Sequence, residues 1–344
     1  MSTIDTVRQQ NEETLHYQKD IGLTELDGFQ LPSDVTEEFL VRMQNEVDIL
    51  GMATTMTLGR LEQEVPKFGV PMLSGSTRDE EGSRTSASDA ESGHVKFNAT
   101  DKSYYILVEP RRDALKNTHQ GPDNFGDLII NEFVQRWSND VGLIGMRAGS
   151  ADAPLEDITG TAELDDTFTG WIARAEGDAD SDRIGLEDTD AADVDEMPEV
   201  DMVNDPLDTE AFNDTIQKLD ERYRDTNSTA FLTSSNQVQQ YAMNLTERED
   251  PLGSAVIFGD SDITPFSYDL IGVNGWPDDY MMFTNPENLA FGLFEQMELD
   301  QTTDTDKVHE DRLHSRNWLE GQMDFQISEM QAGVLVKNIA DPVA

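Results

Sequence analysis

Apolar residues recur along this chain at two spacings, and the alternation between them sets out the order of elements. Residues 1–32 carry Ile4, Val7, Leu15 and Ile21 among charge, Gln and Asn, too sparsely to pack alone, which predicts an N-terminal arm. Pro32, Ser33 and Asp34 then open a helix, with Asp34 three residues before Glu37 in capping-box spacing. Val35, Phe39, Met43, Val47 and Leu50 form its stripe, and Gly51 is its expected end. Leu58 to Leu73, broken by Pro66 and Pro71, and His94 to Val108, alternating through Val95, Phe97, Tyr104, Ile106 and Val108, read as two extended arms. Between them Ser74–Gly93 holds no apolar residue larger than alanine, so the tip has no core of its own. A compact enzyme rarely projects such a tip unless it touches something, so the arm is expected to meet a neighbour.

The strongest periodicity follows Gly121 and Pro122. Ile130, Phe133, Val134, Trp137, Val141 and Ile144 fall at helical spacing and predict a helix over 124–147, with Ile130, Phe133, Trp137, Val141 and Ile144 on its core face. At 1.5 Å per residue it would span roughly 35 Å, the length of a beam across a flat domain. Residues 148–175 read as loop with an apolar knot at Phe168, Trp171 and Ile172. From Glu176 to Glu210 fifteen residues are acidic and only Arg183 is basic, which predicts a solvated surface excursion over 176–210. A helix near Phe212–Tyr223, a strand at Ala230–Thr233 and a helix near Val238–Leu245 suggest an α+β layer. Short strands at Ala255–Phe258, Leu270–Val273 and Tyr280–Phe283 come next, then further strands from Leu289 to Ile339 around a charged segment.

Charge changes the picture most. In 344 residues, 70 Asp and Glu stand against 24 Lys and Arg, a formal charge of −46. Such a polyanion repels itself in dilute salt, whereas in molar salt the Debye length falls to roughly 3 Å and the repulsion is screened. The acids are spread over most of the chain, Asp outnumbers Glu 41 to 29 and Arg outnumbers Lys 16 to 8, which points to a salt-rich, archaeal setting. The 37% hydrophobic content still supplies a core. Binding nucleic acid through a basic face is disfavoured, because the densest basic cluster is Arg111–Arg112. No apolar run is long enough for a membrane span, and the N-terminus shows no export signal.

Candidate chemistry adds little. With no cysteine, thiolate sites and disulfides are excluded. The five histidines are scattered, and the closest pair, His309 and His314, is off the helical register that aims two rings at one metal. Nucleophile-elbow and phosphate-loop motifs are absent. Among 70 carboxylates no acid–base pair is evidence in itself, and Asp165–Asp166 and Asp278–Asp279 read as turn residues. The expected cofactor set is none, beyond cations condensed weakly on the acidic surface.

The order of arm, helix, long two-stranded arm, beam helix, mixed compact part and returning strands resembles the major capsid proteins of tailed viruses with the Hong Kong 97-type fold. The local echoes are LPSDVTEEFLVRMQ, VEPRRDAL, GDLIINEFVQRWSNDVGLIG, FTGWIARAE, TAFLTSSNQVQQYAMNL, MMFTNPENLAFG and EGQMDFQISEMQAGVLVKNI. The resemblance implies an α+β fold with an N-arm at 1–32, an entry helix of the peripheral (P) domain at 33–56 and an E-loop hairpin at 57–108. It further implies a P domain at 109–226 built on the spine helix, an axial (A) domain at 227–288, and P-domain return strands at 289–344. The implied function is a subunit that assembles with itself as hexamers and pentamers into an icosahedral shell around double-stranded DNA, without sequence-specific binding. Scaffolding, portal and decoration proteins would be its other partners, and it would be assembled in the host cytoplasm and reside in the virion. Lys67, Arg78, Arg84 and Lys96, on the tip and flanks of the hairpin, are the implied inter-subunit contacts. The tip contains no lysine, so the covalent lysine–asparagine locking of some relatives is not expected. The competing readings are a nanocompartment shell of the same fold and, from another class, a halophilic hydrolase with a carboxylate pair.

Overall fold

The computed structural model describes residues 29–30, 48–68, 92–109, 125–150, 152–160, 162–177, 183–184, 197–246, 264–302, 305–313 and 315–341. In chain order the helices are α1 (Asp48–Met52), α2 (Phe125–Arg147), α3 (Glu156–Thr159), α4 (Glu163–Thr167), α5 (Trp171–Ala175), α6 (Thr209–Lys218), α7 (Ser235–Thr246) and α8 (Asp306–Glu310). The strands are β1 (Phe29–Gln30), β2 (Thr54–Leu58), β3 (Glu62–Phe68), β4 (Ser92–Asn98), β5 (Ser103–Val108), β6 (Arg183–Ile184) and β7 (Glu199–Asp205). They continue with β8 (Ala230–Ser234), β9 (Asp269–Val273), β10 (Met281–Thr284), β11 (Leu289–Phe294), β12 (Glu298–Thr302), β13 (Arg316–Ile327) and β14 (Gly333–Ile339). The described residues fall into two units, one drawn from 29–30, 104–109, 125–133 and 296–321, the other from 48–68, 92–103, 134–295 and 322–341; α2 and β13 contribute residues to both.

In the larger unit a five-stranded sheet runs in the order β7–β14–β10–β8–β9. The central pairs are antiparallel, Met281 facing Val336 on one side and Thr233 on the other, and both edge strands are parallel to their neighbours. Side chains alternate across the pleat, so Phe231, Met281, Phe283, Val334 and Val336 share one face. Onto that face pack α6 through Phe212 and α7 through Tyr241 and Leu245. Phe231 and Phe283 stack at 4.2 Å between ring centroids, and Phe212 meets Phe231 edge-on at 4.8 Å. Asp208 starts α6 by accepting a hydrogen bond from Ala211 N at 2.8 Å.

The α2 helix has the expected span to within a residue of its start. Trp137, Val141, Ile144 and Met146 are buried, while Arg136 on the outer face pairs with Asp140 one turn on. A Cβ at Gly145 would lie 2.7 Å from the Phe325 ring and 3.1 Å from Trp171, so only glycine lets α2 approach both. The side chains of Ile130 and Phe133 lie outside the described residues.

In the smaller unit β1 pairs with β12, β12 with the first half of β13, and β5 with β13. Glu109 accepts from Arg316 Nε at 2.6 Å and lies 3.8 Å from Lys307, and Arg316 also covers the Trp318 ring.

Several expectations change. The second extended arm does not run unbroken to Val108: it turns at Thr100–Asp101, and β5 leaves the hairpin to join β13. Residues 148–175 are not a loop; α3, α4 and α5 occupy much of this stretch, with Phe168, Trp171 and Ile172 buried as expected of the knot. The acidic run is not wholly an excursion. Arg183–Ile184 pairs with β4, and Glu199–Asp205 forms an edge strand beside β14, with Met197 and Leu207 buried at its two ends. β14, grouped in the sequence with the other returning strands, pairs instead with β10. Ala255–Phe258 and Val35–Val47 lie outside the described residues.

Candidate functional site

The hairpin is built by β3 and β4, whose antiparallel register runs from Glu62 opposite Asn98 to Phe68 opposite Ser92. β6 adds a short third strand, with His94 opposite Ile184. Two sets of contacts hold its root. The first is apolar: Leu58, Val95, Phe97, Ala99 and Ala290 form a buried cluster, edged by Met56, Val65 and Phe294. Gly292 on β11 makes room for it, since a Cβ there would lie 2.9 Å from both Leu58 and Phe97. Parallel pairing of β2 with β11, Ala290 opposite Thr54, brings Leu58 to this place.

The second set is polar and centres on Asp324 of β13, 1% exposed. One carboxylate oxygen accepts from the backbone N–H of Asn98 at 3.0 Å and from Gln326 Nε2 at 3.1 Å. The other accepts from Lys102 Nζ at 2.5 Å and from Arg174 Nη2 at 3.1 Å. Gln326 Nε2 also reaches the Lys96 carbonyl at 2.9 Å, and Met323 N donates to the Lys102 carbonyl. Arg174 is buried on α5, a helix fixed by Trp171 Nε1 donating to the Ala290 carbonyl at 3.1 Å. A carboxylate surrounded by four donors, two of them cationic, is the arrangement that makes a buried charge tolerable.

Of the residues singled out in the sequence, Lys96 lies in this region: its ammonium sits 3.5 Å from Glu62 across the hairpin. Lys67 is opposite Gly93 in the strand register. Arg78 and Arg84 lie outside the described residues. Asp324, Arg174 and Lys102 were not singled out. The signal was Asp324 in the alternating stretch Met323–Ile327, a charge that must find partners if both faces of that strand are covered.

The paired aspartates do local work. Asp165 accepts backbone hydrogen bonds from Gly149, Leu155 and Glu156 at 3.1, 2.9 and 2.6 Å, and thereby ties α4 to the end of α2. Asp278 accepts from Asn236, while burial pushes the Asp279 carboxyl above the usual carboxylate range, with Arg147 opposing. Burial likewise lowers the Arg147 guanidinium, whose Nε donates to the Gly275 carbonyl at 2.9 Å. The Tyr280 phenol is raised by burial and then by its hydrogen bond to Glu176 at 2.6 Å. These groups bind protein partners rather than face a cleft. An open hollow of about 670 Å³ beside the hairpin root is lined by Gly59, Arg60, Glu62, Gln63, Glu64 and Lys96, without the apolar walls that enclose small ligands. Among the described residues no group of three or more His, Asp or Glu is placed to hold a metal.

The described residues are therefore a long helix, a two-stranded hairpin and two sheet-bearing units, with their polar chemistry spent on internal anchoring. Comparison with known proteins decides what it is for. The family described as "Phage major capsid protein, P2 family" matches residues 11–339. The chain belongs to that family. It is a structural protein of a viral capsid. Its fold is similar to that in the satellite phage P4 procapsid including size determination (Sid) protein, at 17% identity and a TM-score of 0.63, covering 96% of this chain and 99% of that one. A cyanophage A-1(L) capsid subunit is similar at 11% identity and a TM-score of 0.59, over 85% of this capsid protein and 92% of the other. The capsid of an empty GTA particle gives 11% identity and a TM-score of 0.57, over 86% and 90%. No curated protein sequence matches the chain.

Proposed function

We propose that this capsid protein builds an icosahedral shell of the Hong Kong 97 type, assembling with itself as hexamers and pentamers around double-stranded DNA. The observation that carries this reading is the family match over residues 11–339, joined to a fold similarity that spans nearly all of the chain and nearly all of a procapsid subunit. In this reading α2 is the P-domain spine, its core face made by Ile130, Phe133, Trp137, Val141 and Ile144, and the β3–β4 hairpin is the root of the E-loop. The five-stranded sheet with α6 and α7 then serves as the axial domain, with β7, α6 and β14 joining the segment 227–288. Residues 1–32 are the N-arm.

Lys67, Arg78, Arg84 and Lys96 are the contacts of the hairpin with a neighbouring subunit. With a charge of −46, neighbouring surfaces repel, so cations on the hairpin are where one copy most readily meets the acids of the next. A virus of a salt-loving archaeal host, assembled in the host cytoplasm, accounts for the acid excess. Scaffolding, portal and decoration proteins are the further partners of such a shell, and weakly condensed cations screen its acidic surface.

Sedimentation of the purified protein in molar potassium chloride tests the reading. Megadalton particles are the expected result; a monomer or small oligomer at every concentration contradicts it. Particles from the native source should carry DNA, whereas protein cargo would identify a nanocompartment.

A further inference from the structure

We infer that Asp324, through Arg174 and Lys102, is a positioning residue that aims the β3–β4 hairpin, and so sets the geometry with which one capsid subunit reaches the next. The inference rests on the shell reading for its consequence but not for its mechanism, which lies within a single chain.

The root of the hairpin has two anchors of different physical kind. The apolar cluster of Leu58, Val95, Phe97, Ala99 and Ala290 holds the hairpin against β2 and β11, but apolar burial has no preferred direction. Hydrogen bonds to a buried carboxylate do have direction. Asp324 takes one from the last residue of β4, Asn98, and one from Lys102, just past the turn that ends the hairpin. Gln326, two residues along β13 on the same face, adds a bond to the Lys96 carbonyl within β4. The hairpin is thus gripped at 96, 98 and 102 by one strand, and that strand is referred to α5 by Arg174. Arg174 Nε has no partner among the described residues, so this guanidinium depends on the carboxylate for its charge compensation. A purely structural anchor at this depth would be met as well by apolar residues; a charged one adds specification of angle.

The chain has no cysteine, which allows clean spin labelling. Nitroxides at Glu64→Cys on the hairpin and Met243→Cys on α7, both exposed sites, report the hairpin's direction in unassembled full-length protein. Three backgrounds are compared: parent, Lys102→Gln, and the double variant Arg174→Met with Asp324→Leu. The double variant removes the two fully buried charges together, a change proteins commonly tolerate, and leaves Lys102, which is 19% exposed, able to turn to water, so it limits the risk of a simple folding failure. The expected result is a cooperative melting transition retained in every background, with a distance distribution about twice as wide in the double variant, and a smaller widening in Lys102→Gln. Under assembly conditions the double variant should give particles of mixed diameter. Equal widths in all three backgrounds would overturn the positioning role, whether or not particles form. Narrow parent distances without any particles would instead count against the shell reading alone.

Discussion

Single residues in this protein are mostly employed in holding segments that have little secondary structure of their own. Asp165 is the clearest case, its carboxylate serving three backbone N–H groups that no helix or strand supplies with acceptors. Asp165→Ala should therefore cost about 1–3 kcal/mol in urea unfolding, with the m-value unchanged; a cost indistinguishable from zero would show that water replaces the carboxylate. Asp279 makes the opposite case. Its folded carboxyl is raised above 3.8, chiefly by burial, so the fold favours the protonated form. The stability linked to that proton is present below the ordinary carboxylate value and is lost as pH rises through the folded one. Asp279→Asn should therefore be at least as stable as the parent at pH 7, and the difference should close as the pH is lowered past the ordinary value. A variant less stable than the parent at neutral pH would mean that attraction to Arg147 outweighs burial. Neither role was readable in the sequence, where both residues look like half of an ordinary Asp–Asp turn; what distinguishes them is burial and the direction of nearby N–H groups, which come from other segments.

At the scale of elements, legibility follows how local the determinants are. The long helix was legible because its stripe repeats without a break over several turns. Trp137, 2% exposed at its centre, should cost about 3–5 kcal/mol when replaced by alanine. A near-neutral result in thermal unfolding would remove the helix from the core. The hairpin was legible from its alternation, and its limits were not, because the turn at Thr100–Asp101 carries no glycine or proline. α3 and α4 escaped notice as helices of one turn with no buried residue. The edge strand β7 was hidden by its acids: a strand with only one partner exposes most of its side chains, and charge on an edge keeps other chains from adding to it. The pairing of β14 with β10 joins segments some fifty residues apart, and no local pattern encodes such a choice. The Asp324 cluster shares that limit, drawing on residues 98, 102, 174 and 324.

For the whole molecule the governing quantity is charge. At −46 the subunit is a self-repelling body, and an assembly of copies multiplies the repulsion. Dialysis from molar potassium chloride to about 10 mM salt, where the Debye length grows to roughly 30 Å, should lower the melting temperature and loosen or dissolve particles. Particles intact in dilute buffer, with the same melting temperature, would contradict the salt-rich setting while leaving the capsid role untouched. That role, and the part of the hairpin in it, meet their most direct test in a cryo-electron microscopy reconstruction of particles kept in molar salt. The account predicts a closed shell in which the hairpin of each subunit lies across its neighbour, with Lys67 and Lys96 at the contact. A shell in which every hairpin is folded against its own subunit, or a preparation that never closes into a shell, would contradict it.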